Sequence, residues 1–137
     1  MEMEKLFITG SVSIKELPEE VKKEIEHIRQ CGIFHVFIGQ APGVDVLVQK
    51  ELLGYPSVTI VNNRPIKRNL GNWEEIIVEG DDFAKDSFMA RECDSCLAIW
   101  DGSSKGVRKN IDMVLARDLC VTVWTPNEGF KIELYVD

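Results

Sequence analysis

No stretch of this sequence comes near the roughly 20 consecutive apolar residues that a membrane-spanning helix needs, so no membrane partner is expected. The start, Met1-Glu2-Met3-Glu4-Lys5, lacks the basic segment that opens a secretory signal, and the expected location is cytoplasmic. Positive charge is short as well: lysine and arginine number 16 against 23 aspartates and glutamates, a formal net charge of −7. Nonspecific binding to a nucleic-acid backbone needs a positive field, which disfavours nucleic acid as a partner. An acidic domain can still hold a local basic site. Cys31, Cys93, Cys96 and Cys120 do not resemble a disulfide framework. Cys93 and Cys96 have the spacing of a zinc or redox pair, but a second such pair is lacking and His27 and His35 are far off in sequence. Buried structural cysteines are the better reading, and neither a metal nor a cofactor is expected. Repeats, linkers and low-complexity tracts are missing too. Residues 1–137 therefore read as one domain, with 45% hydrophobic and 28% charged residues, as soluble globular domains have.

What is present is an alternation of periods. Residues 6–8 form a short apolar strand ending in Thr9-Gly10-Ser11. Pro18-Glu19-Glu20 then opens a helix carrying Val21, Ile25 and Ile28, which Cys31-Gly32 closes. Residues 35–38 are a second strand, and a second helix starts at Gly43-Val44-Asp45 and ends before Gly54. Residues 57–61 are a third strand. Residues 62–80 read as a long loop with a short strand candidate at 75–78. A third helix starts at Asp82, residues 95–100 are a fourth strand, 106–118 a fourth helix, and 120–124 a fifth strand. Residues 130–136 alternate well enough to be a C-terminal edge strand. Near-continuous apolar strands, each followed by a helix, call for an α/β fold. The expected form is a Rossmann-like, doubly wound, mainly parallel sheet of about five strands with helices on both faces.

Ligands in such sheets bind beyond the carboxyl ends of the strands. Three loops there are rich in small residues: Thr9-Gly10-Ser11, Gly39-Gln40-Ala41-Pro42-Gly43 with Asp45 just inside the helix, and Asp101-Gly102-Ser103-Ser104-Lys105-Gly106. Glycine lets backbone amides approach a ligand, and helix starts attract phosphate. Arg64, Lys67, Arg68, Lys85, Lys105, Arg108 and Lys109 fall in segments expected to line the same edge, which favours an anionic ligand. Lys105 is expected to lend charge to phosphate binding. Asp45 either caps its helix or accepts from a ribose hydroxyl. Trp73 is a candidate for stacking on a base, whereas Trp100 and Trp124 read as packing residues. Substituting Gly43→Val with Gly106→Val is expected to weaken binding with the fold retained.

Residues Gly39-Gln40-Ala41-Pro42-Gly43-Val44-Asp45 resemble the G-x-A-x-G-V-D signature of the SLOG superfamily, which includes the Smf/DprA DNA-processing proteins and the LOG proteins. Downstream, Lys85-Asp86-x-x-Met89, Cys93-Asp94, the strand at 97–100 and the turn Asp101-Gly102-Ser103-Ser104-Lys105-Gly106 are similar to the pattern of small YspA-like members. Together these motifs run roughly from residue 5 to 126. The resemblance implies a Rossmannoid sheet whose glycine loops bind nucleotides or their derivatives, often in oligomers, so a homo-oligomer is a candidate assembly. Val107 stands where many members have Thr. Asn110 stands where LOG phosphoribohydrolases carry the catalytic Glu of PGGxGTxxE, and nucleoside deoxyribosyltransferases also rely on a Glu near there.

The expected function is binding, in the sense of sensing or sequestering, of a phosphate-bearing, nucleotide-derived small molecule. Asn110 would face that ligand, and no catalytic residue is assigned. The alternative is an N-glycosidic hydrolase or transferase of the LOG or deoxyribosyltransferase type, with Asp45, Asp86, Asp94 or Asp101 replacing the missing Glu. A DNA-handling role is a third reading, which the acidic balance opposes.

Overall fold

In the computed structural model, which describes residues 2–135, the chain runs β1 (Glu4–Gly10), α1 (Glu19–Cys31), β2 (Phe34–Ile38), α2 (Val44–Glu51), β3 (Val58–Asn62) and β4 (Glu74–Ile77). It continues with α3 (Asp82–Glu92), β5 (Ser95–Ile99), α4 (Lys105–Leu115), β6 (Val121–Thr125) and β7 (Gly129–Glu133). The seven strands make one sheet in the order β4-β3-β2-β1-β5-β6-β7. Every neighbouring pair is parallel except the antiparallel β6–β7 hairpin. The fold is α/β, mostly parallel and doubly wound.

Right-handed crossovers explain where the helices lie. Stepping from β1 through β2 to β3 puts α1 and α2 on one face, and stepping from β5 the other way puts α4 on the opposite face with α3. Alternation along each strand feeds both layers. Leu6, Ile8, Val36, Ile38 and Ile60 pack with Val21, Ile25, Val44 and Val48. On the other side, Phe7, Phe37, Val61 and Ala98 pack with Met89, Ile111 and Val114. Burial on both faces is why the inner strands read as continuous apolar runs.

Several boundaries differ from the sequence reading. The strand candidate at 75–78 is present as the edge strand β4, starting one residue earlier than expected, and the expected C-terminal edge strand is present as β7, starting at Gly129. α4 ends at Leu115, since Asp118 has φ of 60° and cannot continue a helix. The C-terminal strand stops at Glu133, and Val136, where it was expected to end, lies outside the described residues. The segment between β3 and β4 is a helix-free crossover fastened by side chains. Gln49 of α2, fully buried, donates to the carbonyls of Gly39 (3.0 Å) and Arg68 (2.9 Å) and accepts from the Leu70 amide (3.0 Å).

Trp73 is part of this fastening, not a stacking platform. It is buried in the α1–α2 core, and its indole N–H donates to the Tyr55 carbonyl at 2.7 Å. Cys93 and Cys96 are buried, as a structural reading requires, whereas Cys31 and Cys120 are exposed. No helix among the described residues is long and apolar enough to cross a membrane.

Candidate functional site

Strand order reverses at β1 and β5, which lie side by side with Gly10 opposite Ile99. Their outgoing loops leave toward opposite faces of the sheet and open a crevice at the carboxyl edge. Asp101 ties the two loops together. Its amide donates to Ser11 Oγ (2.9 Å), and its carboxylate accepts from Ser13 Oγ (2.6 Å) and from the amides of Ser103 and Ser104 (both 2.8 Å). The Ser13 hydroxyl first, then these two amides, hold its carboxyl well below the usual range. Asp101 is thus a built-in anion at the start of α4. Beyond it, the Lys105 and Gly106 amides donate to no acceptor among the described residues, as expected for the first turn of a helix.

Between these loops and α3 lies a polar cleft of about 320 Å³. Thr9 and Gly10 come from β1, Ala41 and Asp45 from the β2–α2 turn, Lys85 and Asp86 from α3, and Asp101, Ser104, Gly106 and Asn110 from the β5–α4 side. Asn110, 5% exposed, donates through Nδ2 to Thr9 Oγ1 at 3.0 Å, and its Oδ1 has no partner among the described residues. Asp45 accepts from the Ala41 amide at 3.1 Å, and burial pushes its pKa up to about 7 against the pull of that amide and of Lys85. Burial also raises Asp86, opposed mainly by Lys85, which pairs with it at 3.3 Å. Three aspartates against one lysine suit hydroxyls and amines better than phosphate. Burial raises Asp45 and Asp86 while hydrogen bonds lower Asp101, so one cleft pushes its carboxyls in opposite directions.

A second hollow, of about 500 Å³, adjoins it. Arg64, Lys67, Arg68 and Lys85 line its wall with Gln40, Asn63 and Asp82, and Lys85 and Ala41 border both spaces. Arg64 and Lys67 form no ion pair among the described residues. Gln40 shapes this hollow from within. Its Oε1 accepts from the amides of Lys67 (2.7 Å) and Arg68 (2.9 Å), and its Nε2 donates to the Pro65 carbonyl (3.2 Å).

Of the expected site residues, Gly10, Ala41, Asp45, Lys85, Asp101, Ser104, Gly106 and Asn110 meet in the cleft. Ser11, 1% exposed, lies beneath it and supports Asp101. Gly39 and Gly43 do not line it. A Cβ on Gly39 would fall 2.7 Å from Asp45 Oδ2, and one on Gly43, whose φ is 92°, would fall 2.6 Å from the Val12 carbonyl oxygen. Gly43 therefore serves loop packing, and Gly43→Val would break the local fold instead of sparing it. Gly106 is the opposite case, because a Cβ there meets nothing within 4 Å.

Ser103 and Lys105 line a different hollow with Trp100 and Arg108. Gly102, at φ of 90°, makes the turn and faces open space. Arg108 is engaged by Asp112 (2.7 Å) and Glu133 (3.1 Å) and covers Trp100. The chain matches no family model, no curated protein and no solved structure. Thr9, Ser13 and Asp86 also belong to the cleft. Ser13 was legible only as a hydroxyl two residues past the first glycine turn, whereas Asp86 was already a candidate carboxylate for the glycosidic alternative.

Proposed function

We propose that the protein binds a phosphate-bearing, nucleotide-derived small molecule, its sugar in the carboxylate cleft over Gly106 and its phosphate in the basic hollow beyond Lys85. One observation carries this reading: Asn110, whose buried Oδ1 is unpartnered, lines a cleft that one lysine separates from cations without ion-pair partners among the described residues of an acidic protein. An unpaired buried acceptor costs on the order of 1–3 kcal/mol, which a ligand hydroxyl or amine would recover. Free cations beside it supply charge-assisted bonds to phosphate. The motif resemblance to the small YspA-like SLOG proteins supports the same ligand class.

The test is equilibrium binding of adenosine, adenosine monophosphate and ADP-ribose. The phosphorylated compounds should bind tighter than adenosine, and Lys67→Gln should reduce that advantage about tenfold, the equivalent of one charge-assisted bond. Equal affinity for adenosine and its monophosphate contradicts the reading.

A second reading is N-glycosidic cleavage, favoured by one observation: Asp45, at a pKa of about 7, shares the cleft with the raised Asp86. A carboxyl poised near neutrality suits general acid–base work. Asp94 has no part in this, since it accepts from the Lys5 amide (2.9 Å) at the opposite edge of the sheet. Protein-dependent release of free base, lost in Asp45→Asn, would establish turnover.

A further inference from the structure

We propose that the protein forms a two-fold dimer by antiparallel pairing of β7 with β7 of a second copy, joining two seven-stranded sheets into one. Among the described residues, no strand neighbours the outer edge of β7. Phe130 (37% exposed), Ile132 (67%) and Leu134 (65%) form an exposed apolar row beside it. Natural edge strands are normally blunted by short length, charge or cover, and an apolar row on an open edge marks a pairing surface.

The direction of the backbone groups follows from β6. The Trp100 amide of β5 donates to the Trp124 carbonyl (2.8 Å), so the polar groups of Trp124 point toward β5. Phe130 sits opposite Trp124 in the hairpin, hence in a non-hydrogen-bonded pair, and its own N–H and C=O point outward. Alternation gives Ile132 the same outward direction. The side chains divide by face as well. Phe130 and Ile132 share the α1 side with Trp124, which bonds Glu20 of α1 at 2.7 Å, while Glu133 lies on the α4 side with Arg108.

Charge then selects the register. With the two-fold axis at Ile132, Ile132 faces its own copy, Phe130 faces Leu134 of the second copy, and Lys131 faces Glu133 of the second copy, each cross-pair occurring twice. Moving the axis to Lys131 sets lysine against lysine, and moving it to Glu133 sets glutamate against glutamate. Both arrangements are repulsive at directly opposed positions. An axis at Phe130 places Ile132 against Glu128 in the turn. Only the Ile132 register joins an apolar ladder on one face to two ion pairs on the other. Its self-complementarity is what a two-fold interface requires.

The experiment uses the full chain with Cys31→Ser and Cys120→Ser, which remove the exposed thiols, and adds Ile132→Cys. In the proposed register the two Cα atoms at this position stand about 5.5 Å apart, within disulfide range. Mild oxidation should yield a covalent dimer on a non-reducing gel. Sedimentation of the unmodified chain at about 0.1 mM should show a dimer, and Lys131→Glu should weaken it by roughly tenfold, for two lost pairs of up to about 1 kcal/mol each. A monomer at that concentration overturns the proposal. So does a dimer that neither cross-links through Ile132→Cys nor responds to Lys131→Glu.

Discussion

Among single residues, Asp45 and Asp101 act on stability with opposite signs. Asp45 has its pKa raised from 3.8 to about 7 in the folded chain. Between those values the unfolded chain has lost the proton and the folded chain keeps it, so stability falls as pH rises through the window. Asp101, held below its ordinary value by Ser13 and the Ser103 and Ser104 amides, behaves conversely. Its contribution is present above the unfolded pKa and is lost as pH falls through the folded one. Replacing Asp45 by Asn removes the first effect while leaving an oxygen to accept from the Ala41 amide. Relative to the native chain, Asp45→Asn should gain stability between pH 4 and pH 8, by up to about 4 kcal/mol. Urea midpoints at the two pH values measure this. A difference that does not change with pH would mean that Asp45 ionises normally.

At the scale of elements, the segment between β3 and β4 marks where sequence reasoning stopped. The strand–helix alternation from β1 through β6 was legible because each element carries its own apolar period. Residues 63–73 carry none, since their polar groups are satisfied by Gln40, Gln49 and Asn69, side chains whose roles exist only once the chain is folded. Gln49 in particular is polar and lies outside the apolar period of α2, yet it is fully buried. Gln49→Ala would strand the Gly39 and Arg68 carbonyls and the Leu70 amide. The expected loss is about 3 kcal/mol by urea unfolding. Early proteolytic cleavage near residues 64–70 should accompany it. A loss under about 1 kcal/mol would show that the crossover does not depend on this residue.

For the molecule as a whole, the meeting place of the loops was readable before the lining of the candidate site was. Parallel alternation leads one to expect a ligand at the carboxyl edge, and the loops after β1, β2 and β5 do meet there. Three-dimensional packing reassigned the glycines. Gly10 makes room for Val44 and Gly43 for the Val12 backbone, whereas Gly106 faces open space. The cations likewise divide between the basic hollow and the far side of α4, a split that sequence proximity concealed. These placements allow function to be separated from folding at one position. A Cβ on Gly106 meets nothing within 4 Å, so Gly106→Val should leave the fold intact while filling space that the proposed ligand's sugar would occupy. The decisive measurement is thermal unfolding of the native chain and of Gly106→Val, each with and without ADP-ribose and adenosine monophosphate. Without ligand the two proteins should unfold at nearly the same temperature. With ligand at about 100 times its Kd, the native chain should gain about 2.7 kcal/mol and the variant little or nothing. Stabilisation of both proteins to the same extent, or of neither by any phosphorylated nucleoside, would contradict the proposed binding.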